Sequence, residues 1–206
     1  WNIAGQTWRM VQHDRKNRRV FASILGISWF WLIGATFLSQ FPAYAKNIIG
    51  SDETVVTLFL AVFSIGIGIG SLLCTVLLKG QVKSTFVPWS ALGITIFAAD
   101  LFFASGHAVQ AGAGTLMDAW QFLAHASSWR ILLDMMMIAV CGGIYVVPLY
   151  AIMQHDSDPE YRARTIATNN VLNALFMVAA ALVTVVLLKA GASVPQLFLT
   201  VAACNG

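Results

Sequence analysis

Six polar residues stand inside or at the edge of long apolar runs: Asp100, Arg130, Asp134, Asn169, Asn170 and Asn173. An ionisable group at membrane depth is costly unless it is paired or faces water, so such residues mark gates, proton relays or solute paths. Arg130 precedes Asp134 by four positions, which puts both on one face of a helix. Asp100 and Asp134 each lie about 5 residues inside the end of an apolar run, roughly 8 Å deep at a helical rise of ~1.5 Å per residue. The spacing points to a polar cluster of Asp100, Arg130 and Asp134 near one mouth of a bundle. Such a cluster acts as an external gate or proton-coupling site, or else as a static tie between helices. Asn169 and Asn173 are four apart and Asn170 and Asn173 three apart, so all three can crowd one side of a helix. Amides placed there line a cavity or hydrogen-bond across helices.

Other chemistries find no support in the residues. There is no Gly-x-Ser-x-Gly, no His-Glu-x-x-His and no metal-spaced His/Cys cluster, so neither a metal nor a cofactor is expected. Cys74, Cys141 and Cys204 lie in or beside apolar runs without Cys-x-x-Cys spacing and read as small buried hydrophobes. No His stands five residues before an Asp, the arrangement of glycerolipid acyltransferases, so the chain is not expected to be an enzyme.

The elements that must position these residues are apolar helices. The chain is 58% hydrophobic and only 10% charged, too few charges to cover a water-soluble surface. Five continuously apolar runs reach the ~20 residues that a helix needs to cross a bilayer. They lie at about Val20 to Ala45, Val55 to Leu78, Phe86 to Ser105, Trp129 to Met153 and Thr165 to Leu188. A sixth begins near Val194 and is cut short at Gly206. The runs do not alternate, which excludes a barrel. The expected architecture is an all-α membrane protein with six transmembrane helices at 20–206, preceded by a basic cytoplasmic linker at 1–19.

Lys and Arg set the orientation. Arg9, Arg15, Lys16, Arg18, Arg19, Lys79, Lys83, Arg162 and Arg164 fall on one side, against Lys46, Arg130 and Lys189 on the other. By the positive-inside rule the N-terminus, the 154–164 elbow and the truncated C-terminus are cytoplasmic. The basic residues report topology and do not form a nucleic-acid patch, although those of the linker could also meet anionic lipid. Ser51 is a candidate cap for the second helix and Asp158, before Pro159, for the fifth. Leu116, Met117, Trp120 and Leu123 recur at helical spacing, which predicts an amphipathic surface helix in the 107–128 loop. Gly66 and Gly70, like Ser64 and Gly68, are four apart and suit close helix contact. Pro148 should bend or loosen the fourth helix.

Several stretches resemble the bacterial lysophospholipid transporter branch of the major facilitator superfamily. They are Ile24-Leu25-Gly26-Ile27-Ser28-Trp29-Phe30-Trp31, Gln40-Phe41-Pro42-x-Tyr44-Ala45-Lys46 and the run from Thr57 to Ser71 with Gly66, Gly68 and Gly70. Trp129-Arg130-x-Leu132-Leu133-Asp134, Pro148-Leu149-Tyr150-Ala151 and Arg162-Ala163-Arg164, followed by Asn169-Asn170-x-Leu172-Asn173, complete the likeness. The resemblance implies helices seven to twelve of a twelve-helix carrier, a half-bundle with a 3+3 inverted repeat. Its N-terminal six-helix half would lie outside this sequence, which would then be a fragment. The substrate implied is a lysophospholipid, chiefly lysophosphatidylethanolamine, moved inward across the bacterial inner membrane for re-acylation. In that family the carrier stands alone or is fused to acyltransferase and acyl-carrier-protein synthetase domains, which leaves a membrane anchor for such an enzyme, or a facilitator of another solute, as alternatives. The family pattern would put Asp134 and the asparagines on cavity-lining helices and Asp100 on a peripheral one. The chain departs from the superfamily at Lys79-Gly80-Gln81-Val82-Lys83, which lacks the usual acidic latch.

Overall fold

The computed structural model describes residues 3–108 and 116–206, and among these it is all-helical. The helices are α1 (Ile3–Asp14), α2 (Arg18–Tyr44), α3 (Glu53–Leu78), α4 (Val87–Ser105), α5 (Ala119–Ala124), α6 (Ala126–Asp156), α7 (Arg162–Lys189) and α8 (Val194–Asn205). α2 runs on into a π-helical turn, Ala45–Ile49, that ends at Gly50 in the left-handed region, φ 73°. Five segments are long and apolar enough to cross a membrane: 18–49, α3, α4, α6 and α7. The bounds expected from hydropathy fall within a few residues of these. The sixth run, expected to begin near Val194 and to be cut short at Gly206, is α8, an apolar helix of 12 residues, short of a bilayer's thickness.

α6 is the central helix, packed against α2, α3 and α4, while α2 also carries α7, and α8 lies on α4. Close approach of α3 to α6 is set by glycine. A side chain at Gly70 would meet the Val140 carbonyl oxygen at 2.1 Å, one at Gly66 would meet Ala139 at 2.7 Å, and one at Gly143 would meet the Ile67 carbonyl oxygen at 2.6 Å. Gly68 is corrected as a packing residue: it faces outward with open space around it. An aromatic core joins α2, α3, α5 and α8. Phe37 stacks on Phe198 with ring centres 4.5 Å apart, and Phe59 packs edge-on to both Phe41 and Phe122. Such pairs add to the large apolar area each ring buries. Pro148 is buried within α6, which continues through it as one 31-residue helix.

The helix caps differ from those the sequence suggests. Asp52, not Ser51, caps α3 by accepting from the Thr54 amide at 2.9 Å; Ser51 donates its hydroxyl to the Ala45 carbonyl at 2.9 Å and closes the preceding turn instead. Asp158 accepts from the Glu160 amide at 3.1 Å and shapes a turn, and α7 begins only at Arg162 with Tyr161 at its cap position. The surface helix expected around 116–123 is the six-residue α5, capped reciprocally by Asp118 and Gln121. Met117 lies outside it, buried and bridged to Ser51. Part of that loop, 109–115, lies outside the described residues. The basic linker is a docked element: α1 packs on α7, and Asn17 caps α2.

Candidate functional site

α4 and α6 bring the three charged residues together at the end of the bundle that carries α5. Arg130 grips Asp100 with two donors, Nε to Oδ2 at 3.0 Å and Nη2 to Oδ1 at 2.5 Å. A forked guanidinium on a carboxylate is the strongest common form of ion pair. Both partners are partly exposed, 48% and 37%. Asp134 lies beside this pair, within range of both, but is 1% exposed, and its Oδ2 has no hydrogen-bond partner. Thus Arg130 reaches across to α4 rather than down its own helix to Asp134. Tyr44 of α2, fully buried, joins the neighbourhood and shares a hydrogen bond of 2.8 Å with Ser105, whose hydroxyl donates to the Leu101 carbonyl at 2.6 Å. Tyr44 sits in an apolar run, and only the need of a buried phenol for a partner could have flagged it.

At the start of α7 the three asparagines separate. Asn173 accepts from the Ser28 hydroxyl at 2.9 Å, a buried link between α7 and α2. Asn169 is buried with its Oδ1 unpartnered. Asn170 departs from the expected grouping: on the helical wheel the three asparagines spread over about 100°, and Asn170, at one edge of that arc, falls on the exposed side while the other two are buried. Its side chain makes no hydrogen bond among the described residues. Trp31 of α2 donates its indole N–H to the Tyr150 hydroxyl of α6 at 3.1 Å, a partly exposed polar contact within two apolar spans.

The far end of the bundle holds a second polar assembly that the sequence did not disclose. Buried Asp14 of α1 accepts from the Thr165 hydroxyl at 2.8 Å, and His13 stacks on Tyr161 with ring centres 3.8 Å apart. Arg19 pairs with Asp156 at 3.0 Å, and the Asn17 side-chain amide donates to the Asp156 carbonyl at 3.0 Å. Lys16, Arg18 and Arg19 line a cavity of about 570 Å³ there. A third node ties α2, α4 and α8. Trp29 donates to Asn205 at 2.9 Å, and Asn205 donates to the Ala91 carbonyl at 2.8 Å and the Thr95 hydroxyl at 3.0 Å.

Among the described residues no three His, Cys, Asp or Glu side chains gather as a metal site. Comparison with known proteins gives no match to a family model, to a curated protein or to a solved structure.

Proposed function

We propose that the chain is the C-terminal half-bundle of a major facilitator transporter that moves lysophospholipids, chiefly lysophosphatidylethanolamine, inward across a bacterial inner membrane. The motif resemblance suggests the family and substrate. The observation that carries transport is the exposure of polar groups within helices otherwise built to meet lipid. Asn170 presents an unpartnered amide about two turns into α7, and the hydrogen-bonded Trp31–Tyr150 pair is a second, partly exposed polar contact between α2 and α6. A side-chain amide facing hydrocarbon forfeits its hydrogen bonds, so these groups belong against water or a second bundle. Alternating access rocks one six-helix bundle against another, and the partner here is an N-terminal half. The charge bias of the loops puts α1 and the α6–α7 elbow in the cytoplasm. An acyltransferase on that side, fused or separate, would consume the imported lysolipid.

Cysteine accessibility tests the path. In the chain joined to an N-terminal six-helix bundle, with the three native cysteines replaced, Asn170→Cys should react with a membrane-impermeant maleimide. Ile96→Cys, on the exposed flank of α4, should stay unlabelled. Lysophosphatidylethanolamine should slow labelling at position 170. Equal labelling at both positions, or none at 170, contradicts the assignment.

A further inference from the structure

Two carboxyls, Asp100 and Asp134, stand beside a single guanidinium, and only one of them holds it. Asp134 keeps one oxygen sealed and unpartnered at 1% exposure, whereas Asp100 is partly exposed. Arg130 is one helical turn from Asp134 and on the same face of α6, so a rotamer change carries its guanidinium from the α4 carboxylate to the α6 carboxylate. A buried carboxylate with neither a cation nor a full set of donors is costly.

We infer that Arg130 is a two-position switch, and that one proton always occupies whichever of Asp100 and Asp134 the guanidinium leaves. In the arrangement seen here Arg130 holds Asp100 as a carboxylate and Asp134 carries the proton as a carboxylic acid. In the other, Arg130 holds Asp134 as a carboxylate, and the proton released from Asp134 is taken up by Asp100. One guanidinium, one proton and two carboxyls keep the cluster neutral in both arrangements. Because Asp100 is partly exposed where Asp134 is sealed, the second arrangement moves that proton to the more accessible carboxyl. Breaking the Arg130–Asp100 fork also releases α4 from α6 at this end, so the proton's position and the helix contact change together. Tyr44 of α2, already bonded to Ser105 of α4, also lies within range of Asp134. The remaining titratable residues at this end, Lys46, Asp52, Glu53, His107, Asp118, His125 and Lys189, lie in terminal turns of helices, in caps or in loops.

The inference deepens the transport reading at one mouth of the bundle, but its test needs no transport. Infrared spectra of the full chain in lipid bilayers at neutral pH read the C=O band of a protonated carboxylic acid. The difference between wild type and Asp134→Asn should contain that band. Asp100→Asn should also abolish the Asp134 band, because Arg130, deprived of its partner, moves onto Asp134 and displaces the proton. A static tie leaves the band intact in Asp100→Asn. Survival of the band in that variant, or its absence from the wild-type difference, overturns the switch. Helical circular dichroism identifies any variant that has failed to fold, and the conservative Arg130→Lys, which keeps the charge, should retain the wild-type band. If the bands behave as stated while the protein carries no lysolipid, the transport reading fails and the switch stands.

Discussion

Asn173 and Asn170 differ by three residues and have opposite roles, one joining helices and one facing outward. Removing the Ser28–Asn173 hydrogen bond should therefore destabilise the α2–α7 contact by about 0.6 kcal/mol, and at most about 1.7 kcal/mol. A double-mutant cycle of Ser28→Ala and Asn173→Ala in a reversible detergent unfolding assay measures it. Asn170→Ala should leave stability unchanged while altering the solute path; a stability loss as large as that of Asn173→Ala would contradict its outward placement. The sequence marked all three as polar residues in an apolar helix, but spacing alone could not distinguish their sides, because that depends on which face α2 covers. The same limit applies to Arg130. Spacing offered Asp134, one turn away, and the guanidinium instead crosses to Asp100 because α4 lies alongside. Asp14 and Thr165 could not be paired from the sequence at all, since 151 positions separate them.

At the scale of elements, the apolar runs were legible to within a few residues because a span must hide its backbone for a fixed length. Caps were less legible, since Ser51, Asp52 and Asp158 are all competent acceptors and only the local chain path selects among them. Glycine positions give a direct comparison. Gly70→Ala places a methyl group against the Val140 backbone and should cost about 1–3 kcal/mol by forcing α3 from α6. Gly68→Ala meets open space and should be neutral or slightly stabilising. Comparable losses for the two variants in thermal unfolding would contradict the α3–α6 crossing. The start of α3 should respond to acid. The Thr54 hydroxyl and amide hold the Asp52 carboxyl below the usual carboxylate range. Its contribution is therefore fully present above the unfolded value of about 4 and is lost as pH falls through the depressed folded value. Hydrogen exchange at the Thr54 amide should quicken in that acidic range, and Asp52→Asn, an uncharged acceptor, should flatten the dependence.

Across the whole molecule, burial is uneven. α6 is enclosed by its neighbours, while α7 touches chiefly α2 and α1 and leaves Leu175, Val178, Leu182 and Val186 exposed. Asn170 is the exposed one of the three asparagines on that helix, and in the proposed reading it faces a solute path rather than lipid. Composition and run length made the membrane bundle legible, but no periodicity could reveal that α6 would be central or that α8 would pack on α4. Those arrangements arise from glycine contacts and an aromatic core assembled from distant segments. The most direct test of the account is uptake of fluorescent lysophosphatidylethanolamine into proteoliposomes. The chain joined to an N-terminal six-helix bundle should accumulate the lysolipid on the inner leaflet, and the 206-residue chain alone should not. Uptake by the isolated chain, or none by the joined one, would contradict the assignment to half of a lysophospholipid carrier.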